Sequence, residues 1–321
     1  MSSAPSLIVR GRQLDTSRPL VMAIVNASPD SFSDGANEGD VAAQAQAAVE
    51  ALDAGAELID VGGQSGITGV PEISEQLEIE RVLPVVNAIM AERPDAVISV
   101  DTYRPAVTKA VLDAGGSIIN DVSCLRHPEV AEACAVTGAG LVVMHTKVEP
   151  KRRLQDPGAY ADVPGEVGAV LVERLALAQS LGMAETSIVI DPGVDYAKTP
   201  HQTIELLRHL QPIRELGRPL LYALSRKDFI GALTQRPPQA RGAGTLAAIG
   251  HVGWLPGSIF RVHDVAATVD YLTVARALAG EVDIAEDMTL ADSLRWSNGR
   301  AGTADADGMG LDAGATTGPR R

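Results

Sequence analysis

The sequence predicts an α/β fold of the (β/α)8 barrel type, and three observations carry that reading. Eight short apolar runs of strand length alternate with helix-length stretches over about 260 residues. Each run hands polar side chains to its downstream end, with Asn26, Asp60, Asp101, Asn120, His145, Asp191, Lys227 and Arg261 at or just beyond the ends. The first run ends in Asn26-Ala27-Ser28-Pro29-Asp30, without the G-x-G-x-x-G of a dinucleotide-binding open sheet. A doubly wound sheet is therefore the weaker alternative.

The elements follow in order. Leu7–Val9 and Arg12–Leu14 predict a small hairpin around Gly11, behind a short terminal stretch. The run MAIVN makes the first barrel strand, and Ala27–Gly39 is a polar loop. Val41–Ala54 reads as a helix closed by Gly55, the residue type that tolerates a left-handed C-terminal turn. Strands are then expected over 58–61, 97–100, 117–120, 140–144, 188–190, 219–224 and 258–262. Helices are expected between them over 72–92, 104–114, 127–137, 163–181, 200–215, 240–254 and 266–279. Residues 146–162 form a long insert. The division expected is an N-terminal extension with the hairpin at 1–11, a barrel at 12–285 and a polar tail at 286–321. From Trp296 the tail is Gly, Ala, Thr and Asp, too poor in apolar surface to offset the entropy of ordering.

At 321 residues and 45% hydrophobic, the chain can bury a large core. A net charge of −14 argues against a nucleic-acid partner, which selects a basic face. Cys124 and Cys134 are too few for a disulfide framework and read as packed side chains in a reducing compartment. No run reaches the roughly 18 apolar residues of a membrane span, and residues 1–20 lack a signal-peptide core. Cytoplasmic residence without membrane association is the expectation.

A barrel gathers its strand ends at one mouth, which here brings together Asn26, Asp101, Asn120, Asp191, Lys227, Arg261 and His263. Carboxylates and an amide suit a flat heterocycle bearing ring N–H and amino groups. Arg261 and His263 stand two apart on a strand, share a face and suit an anion such as phosphate. Asn26, with Asp30 and Asp34, could hold a Mg2+ accompanying that anion. Each residue also has a structural role open to it. Asp101 could cap the next helix, Asp191-Pro192-Gly193 could be a turn, and Asp60 could support its own strand's turn. His145 and Thr146 could simply line the wall, and the basic triplet Lys151-Arg152-Arg153 could be a solvated loop.

At these residues the chain resembles the dihydropteroate synthase family, over about residues 12–285. The matching stretches stand in family order: MAIVNASPDSFSDG (22–35), IDVGG (59–63), SVDTYRP (99–105), IINDV (118–122) and VVMHT (142–146). They continue with IDPG and KT (190–199), ALSRKDFIG (223–231), RGAGTLA (241–247) and FRVHDV (260–265). The resemblance implies a (β/α)8 barrel and a folate-pathway transferase. In that reaction p-aminobenzoate displaces pyrophosphate from dihydropterin pyrophosphate, with Mg2+ as cofactor, giving dihydropteroate. It implies Asp101, Asn120, Asp191 and Lys227 in a pterin pocket, with Lys227, Asp101 and Asp191 catalytic. It further implies Asn26 at the metal, Arg261 and His263 at the pyrophosphate, Ser225 and Lys227 near p-aminobenzoate, and Tyr196 as the pocket aromatic. A homodimer is the assembly it suggests.

Three stretches depart from the family pattern. After the second strand the chain reads Gly62-Gly63-Gln64-Ser65-Gly66-Ile67-Thr68-Gly69, with Gly66-Ile67 where the family has Thr-Arg. Lys147 or Arg152 of the insert is the expected substitute for that cation. Val194-Asp195-Tyr196-Ala197 keeps an aromatic but adds a carboxylate, and Val122-Ser123-Cys124-Leu125 replaces a loop that often carries a Gly-Gly pair. The competing readings are a divergent paralogue that binds a pterin without turnover and a transferase using a different aryl amine.

Overall fold

Eight parallel strands close on themselves in chain order in the computed structural model, which describes residues 4–27, 41–64 and 71–295. Two units are distinguished, residues 1–275 and 276–321. In the first, β1 (Leu7–Val9) and β2 (Arg12–Leu14) form the expected antiparallel hairpin. The barrel strands are β3 (Leu20–Asn26), β4 (Leu58–Gly62), β5 (Val97–Asp101) and β6 (Ile118–Asp121). They continue with β7 (Gly140–Met144), β8 (Ile188–Asp191), β9 (Leu220–Tyr222) and β10 (Ser258–Val262), and β10 pairs back onto β3.

Period-2 alternation explains both the core and the site. Leu20, Met22, Leu58, Val97, Ile118, Val142, Val189, Leu221 and Ile259 share one buried cluster inside the barrel, joined by Leu7, Val9 and Leu14 of the hairpin. The hairpin thus plugs the end where the strands begin. It is tied there by Ser187 Oγ donating to the Ile8 carbonyl at 2.7 Å and by Arg10 donating to the carbonyls of Gly116 and Leu112. The residues that alternate with the interior ones, such as Val21, Ile59, Ile98, Ile119 and Leu141, face the second and larger cluster, beneath the helices. Each large side chain so buried is worth roughly 1.5–3 kcal/mol. Two residues beyond the apolar interior layer the same face turns polar: Leu58 gives way to Asp60, Val97 to Ser99 and Asp101, Ile118 to Asn120, Val189 to Asp191, and Ile259 to Arg261.

The outer helices are α1 (Val41–Asp53), α2 (Glu75–Glu92), α3 (Pro105–Asp113), α4 (Pro128–Thr137) and α5 (Val163–Ser180). The rest are α6 (Pro200–Arg208), α7 (Gln211–Arg214), α8 (Asp228–Thr234), α9 (Gly242–Val252) and α10 (Val265–Leu278). Two departures from the expected pattern have local causes. The single helix expected over 200–215 breaks at His209, because Pro212 lacks an N–H and its ring clashes with a continuing turn. The seven-residue α8 was not expected, since DFIGALT spans under two turns and shows no resolvable period. Thr199 and Gln202 form a reciprocal cap at the start of α6.

Among the described residues no helix is long and apolar enough to cross a membrane. Both cysteines are free thiols and buried, consistent with packing roles. The second unit's described part, to Arg295, holds the last residues of α10 and a short helical turn at Asp292–Leu294. The tail expected to be disordered falls largely on residues 296–321, outside the described residues, as do Asp30, Asp34 and the Gly66-Ile67 departure.

Candidate active site

The carboxyl ends of the strands carry a connected set of polar groups. Asp60, wholly buried on β4, accepts from Ser99 Oγ at 2.6 Å, Asn120 Nδ2 at 3.2 Å and Arg261 Nε at 2.6 Å. Arg261 Nη2 then reaches Asp101 Oδ2 at 3.3 Å. Four strands therefore converge on one guanidinium and its two carboxylates. Burial alone disfavours the Arg261 charge, but Asp60 and Asp101 more than offset it and hold the group above its ordinary range. Burial likewise raises Asp101, helped by Asp60 and Glu78 and opposed by Arg261.

This geometry corrects the supporting role read for Asp60. It is the centre of the network, and its sequence signal was a carboxylate on the interior face two residues above Leu58. Asp101 is also not the cap of α3, where Arg104 holds the N-cap position without a side-chain cap bond. Arg104 instead pairs with Glu78 at 3.0 Å and Glu72 at 3.1 Å, forming an adjacent wall.

Asn120 leaves Oδ1 buried without a hydrogen-bond partner among the described residues. An orphaned acceptor on a strand end costs about 1–3 kcal/mol unless a ligand donor meets it. Asp191 does form a turn, accepting from the Gly193 N–H at 2.7 Å, and keeps a buried carboxyl at the mouth. Burial pushes that carboxyl up to about 6, against the Gly193 bond and the charges of Lys227, Lys198 and Arg261. Gly193 has φ 69°, and a Cβ there would run into the His145 carbonyl, so the turn requires glycine.

Beyond that turn the chain is pinned by Lys198, the lysine of the KT match, to which the sequence reading gave no role. Its buried Nζ contacts His145 Nδ1 at 3.1 Å and donates to the carbonyls of Gly193 at 2.9 Å and Tyr196 at 3.1 Å. Burial pushes Lys198 down to about 7, against the pull of Asp191 and Asp195. Burial and the cations Lys198 and Lys147 push His145 down to about 2, so its neutral ring accepts at Nδ1. His145 therefore belongs to the wall.

Lys227 lies at the start of α8, with Nζ 4.6 Å from the Tyr196 ring centroid. Burial lowers its pKa, while Asp195 and Asp191 pull it back up. Asp195, the added carboxylate, accepts from Thr203 Oγ1 at 3.0 Å and from the Phe229 N–H at 3.2 Å, which binds its charge to the start of α8. Ser225 Oγ lies 2.9 Å from His263 Nδ1 and accepts from the His263 N–H at 3.2 Å. Desolvation by the surrounding protein, then the cations Arg226, Arg261 and Lys227, push that imidazole down to about 4, leaving it neutral at pH 7 although part of the residue stays exposed. Asn26 ends β3 with its side chain exposed.

A cleft opens beside Asp101, lined by Thr102, Tyr103, Val122, Tyr196, Gln64 and Glu78 together with Pro150 and Lys151. The two cations expected to compensate from the insert are placed elsewhere. Lys147 pairs with Glu166 at 2.5 Å, and exposed Arg152 lies 3.9 Å from Glu149. Lys151, read as part of a solvated triplet, is the one of the three that lines the cleft.

Comparison with known proteins places this arrangement. The sequence model described as pterin binding enzyme matches residues 22–263. The dihydropteroate synthase of Escherichia coli strain K12 is 38% identical over 271 residues, covering 84% of this chain and 95% of that protein. That of Bacillus subtilis is 38% identical over 250 residues, covering 77% and 84%. Among solved structures, Xanthomonas albilineans dihydropteroate synthase with 4-aminobenzoic acid superposes with a TM-score of 0.78 at 40% identity, covering 86% of this chain and 99% of that one. The same protein in complex with 7,8-dihydropteroate gives 0.75 at 40% identity with the same coverage.

Proposed function

The chain belongs to the pterin-binding enzyme family, and on that premise we propose that it is a dihydropteroate synthase of folate biosynthesis. It is a transferase: the amine of p-aminobenzoate attacks the methylene carbon of dihydropterin pyrophosphate. The C–N bond forms as the C–O bond breaks, pyrophosphate departs and the amine gives up a proton. The observation that carries this reading is the strand-end array of Asp101, Asn120 and Asp191 around one mouth, in a chain 38% identical to a dihydropteroate synthase over 84% of its length.

The residues divide the work as follows. Asn120 Oδ1 accepts from a pterin N–H, and the Asp191 carboxylate takes the paired donors of the amino-pyrimidine edge. Asp101 faces the ring from the opposite strand end, aligned by Arg261. Breaking the C–O bond leaves positive charge on the pterin methylene, which nearby carboxylates stabilise. Lys227, flanked by Tyr196, faces both substrates, and its ammonium stabilises negative charge on the departing side. Ser225, aligned by neutral His263, offers its hydroxyl to the aminobenzoate.

Mg2+ is the proposed cofactor. Asn26 presents an amide oxygen, a hard donor of the kind the ion takes, and Mg2+ typically needs only one or two protein ligands beside substrate phosphates. When bound, it would neutralise leaving-group charge. Cytoplasmic residence and a homodimer belong to the same proposal, and light scattering of the purified protein tests the dimer.

The direct test is pyrophosphate release from dihydropterin pyrophosphate with Mg2+, with and without p-aminobenzoate. Release that depends on aminobenzoate supports the synthase. Pterin binding without release moves the protein to the non-catalytic reading, and release with another amine alone moves it to a different transferase.

A further inference from the structure

The stretch between β7 and α5 has no helix or strand, yet it is fastened at both flanks. Lys147 Nζ donates to the Ala159 carbonyl at 2.6 Å and lies 3.8 Å from the Tyr160 ring centroid. Gln202 of α6 donates to the carbonyls of Asp156 and Pro157 at 3.0 and 3.1 Å. Between these anchors the Arg152 N–H closes onto the Glu149 carbonyl at 3.1 Å, with Lys151 in left-handed backbone at φ 65°. Non-glycine residues adopt that conformation only where their surroundings hold them there. Here it separates one member of a basic triplet from the others: Arg152 and Arg153 are exposed, while Lys151 is half-buried and lines the cleft.

The charges facing that ammonium are the carboxylates of Asp101, Glu72 and Glu78, with Arg104 opposing. An entering diphosphate or carboxylate meets this acidic wall and is repelled by it. Lys151 offsets part of that negative charge at the rim.

We propose that Lys151, presented by the Glu149–Arg152 turn, binds a substrate oxyanion at the rim of the cleft beside Asp101. The oxyanion is either the diphosphate of the pterin or the carboxylate of the aryl amine. The proposal rests on the transferase reading above.

The test compares full-length wild type with Lys151→Met and Lys151→Arg. Calorimetry uses inorganic pyrophosphate, dihydropterin pyrophosphate and the uncharged 6-hydroxymethyl-dihydropterin, and steady-state kinetics use p-aminobenzoate and p-toluidine, which lacks the carboxylate. If the diphosphate is the ligand, Lys151→Met weakens both pyrophosphate-bearing ligands about tenfold, shifts the uncharged pterin less than twofold, and Lys151→Arg restores most of the loss. If the carboxylate is the ligand, KM for p-aminobenzoate rises about tenfold in Lys151→Met with kcat and p-toluidine unchanged. Unaltered handling of both anions, or an equal loss on the uncharged pterin, overturns the proposal. A wild type that binds inorganic pyrophosphate through Lys151 but never turns over sinks the synthase reading alone. A wild type that binds neither pyrophosphate nor aminobenzoate sinks the Lys151 proposal.

Discussion

Arg261 Nε lies 2.6 Å from Asp60 Oδ2, joining residues 201 positions apart on strands that flank the same neighbour, β3. The pair changes what Arg261 offers a ligand. Its charge is shared between Asp60 and Asp101, so it orients the pocket carboxylates as much as it attracts an anion.

Removing the centre of that network leaves Arg261 with one longer contact and strands the Ser99 and Asn120 donors. Asp60→Ala is expected to cost roughly 3–5 kcal/mol of stability, the usual range when one partner of a buried ion pair is deleted. Urea denaturation of wild type and variant checks this, and a variant as stable as wild type would show that the four residues do not act as a unit.

The pH dependence follows from Asp191, whose carboxyl burial raises to about 6. Pterin affinity is expected to fall about tenfold between pH 7 and pH 5, as the carboxylate that receives the pterin donors becomes protonated. The ligand-free protein should behave oppositely. A carboxyl with a raised folded-state pKa contributes stability that is fully present below about 3.9 and is lost as the pH rises through about 6. Asp191→Asn should flatten both trends, which titration calorimetry and thermal melts across pH 4–8 would read.

Lys198 gives the reverse sign. Burial lowers it to about 7, so its contribution is present above the unfolded lysine value of about 10.4 and is lost as the pH falls through about 7. Lys198→Met is expected to flatten the rise in stability between pH 7.5 and 9.5. It should also lower kcat/KM severalfold, because the Gly193 and Tyr196 carbonyls lose their shared donor. An unchanged stability slope would mean that Lys198 is not charged-state coupled to folding.

At Lys227 and Tyr196 the chemistry can be separated from packing. Lys227→Ala should lower kcat/KM by at least about tenfold, near 1.4 kcal/mol in the transition state. Tyr196→Phe keeps the ring beneath the ammonium and should stay within about twofold of wild type, whereas Tyr196→Ala should not. Equal effects of the two tyrosine variants would assign the role to the hydroxyl.

Much of this was readable from sequence because a barrel strand writes its interior face at every second position. Leu58 to Asp60, Val97 to Asp101 and Ile259 to Arg261 each pass from apolar plug to polar mouth within one strand. What was not readable depends on contacts between distant segments. Asp60 looked like a local support because its three donors come from β5, β6 and β10. Lys198 carried no periodic signal, since its partners are backbone carbonyls and a histidine just past the end of β7. Lys151 was indistinguishable from Arg152 and Arg153 until one backbone torsion set it apart.

Because β10 completes the site by pairing with β3, a ribosome-bound nascent chain cannot assemble the pocket until residue 261 has emerged from the exit tunnel. Premature termination anywhere upstream of that arginine leaves Asp60 without its counter-charge and one edge of β3 unpaired. Proteolytic surveillance would therefore meet such fragments as open-edged intermediates that substrate cannot rescue.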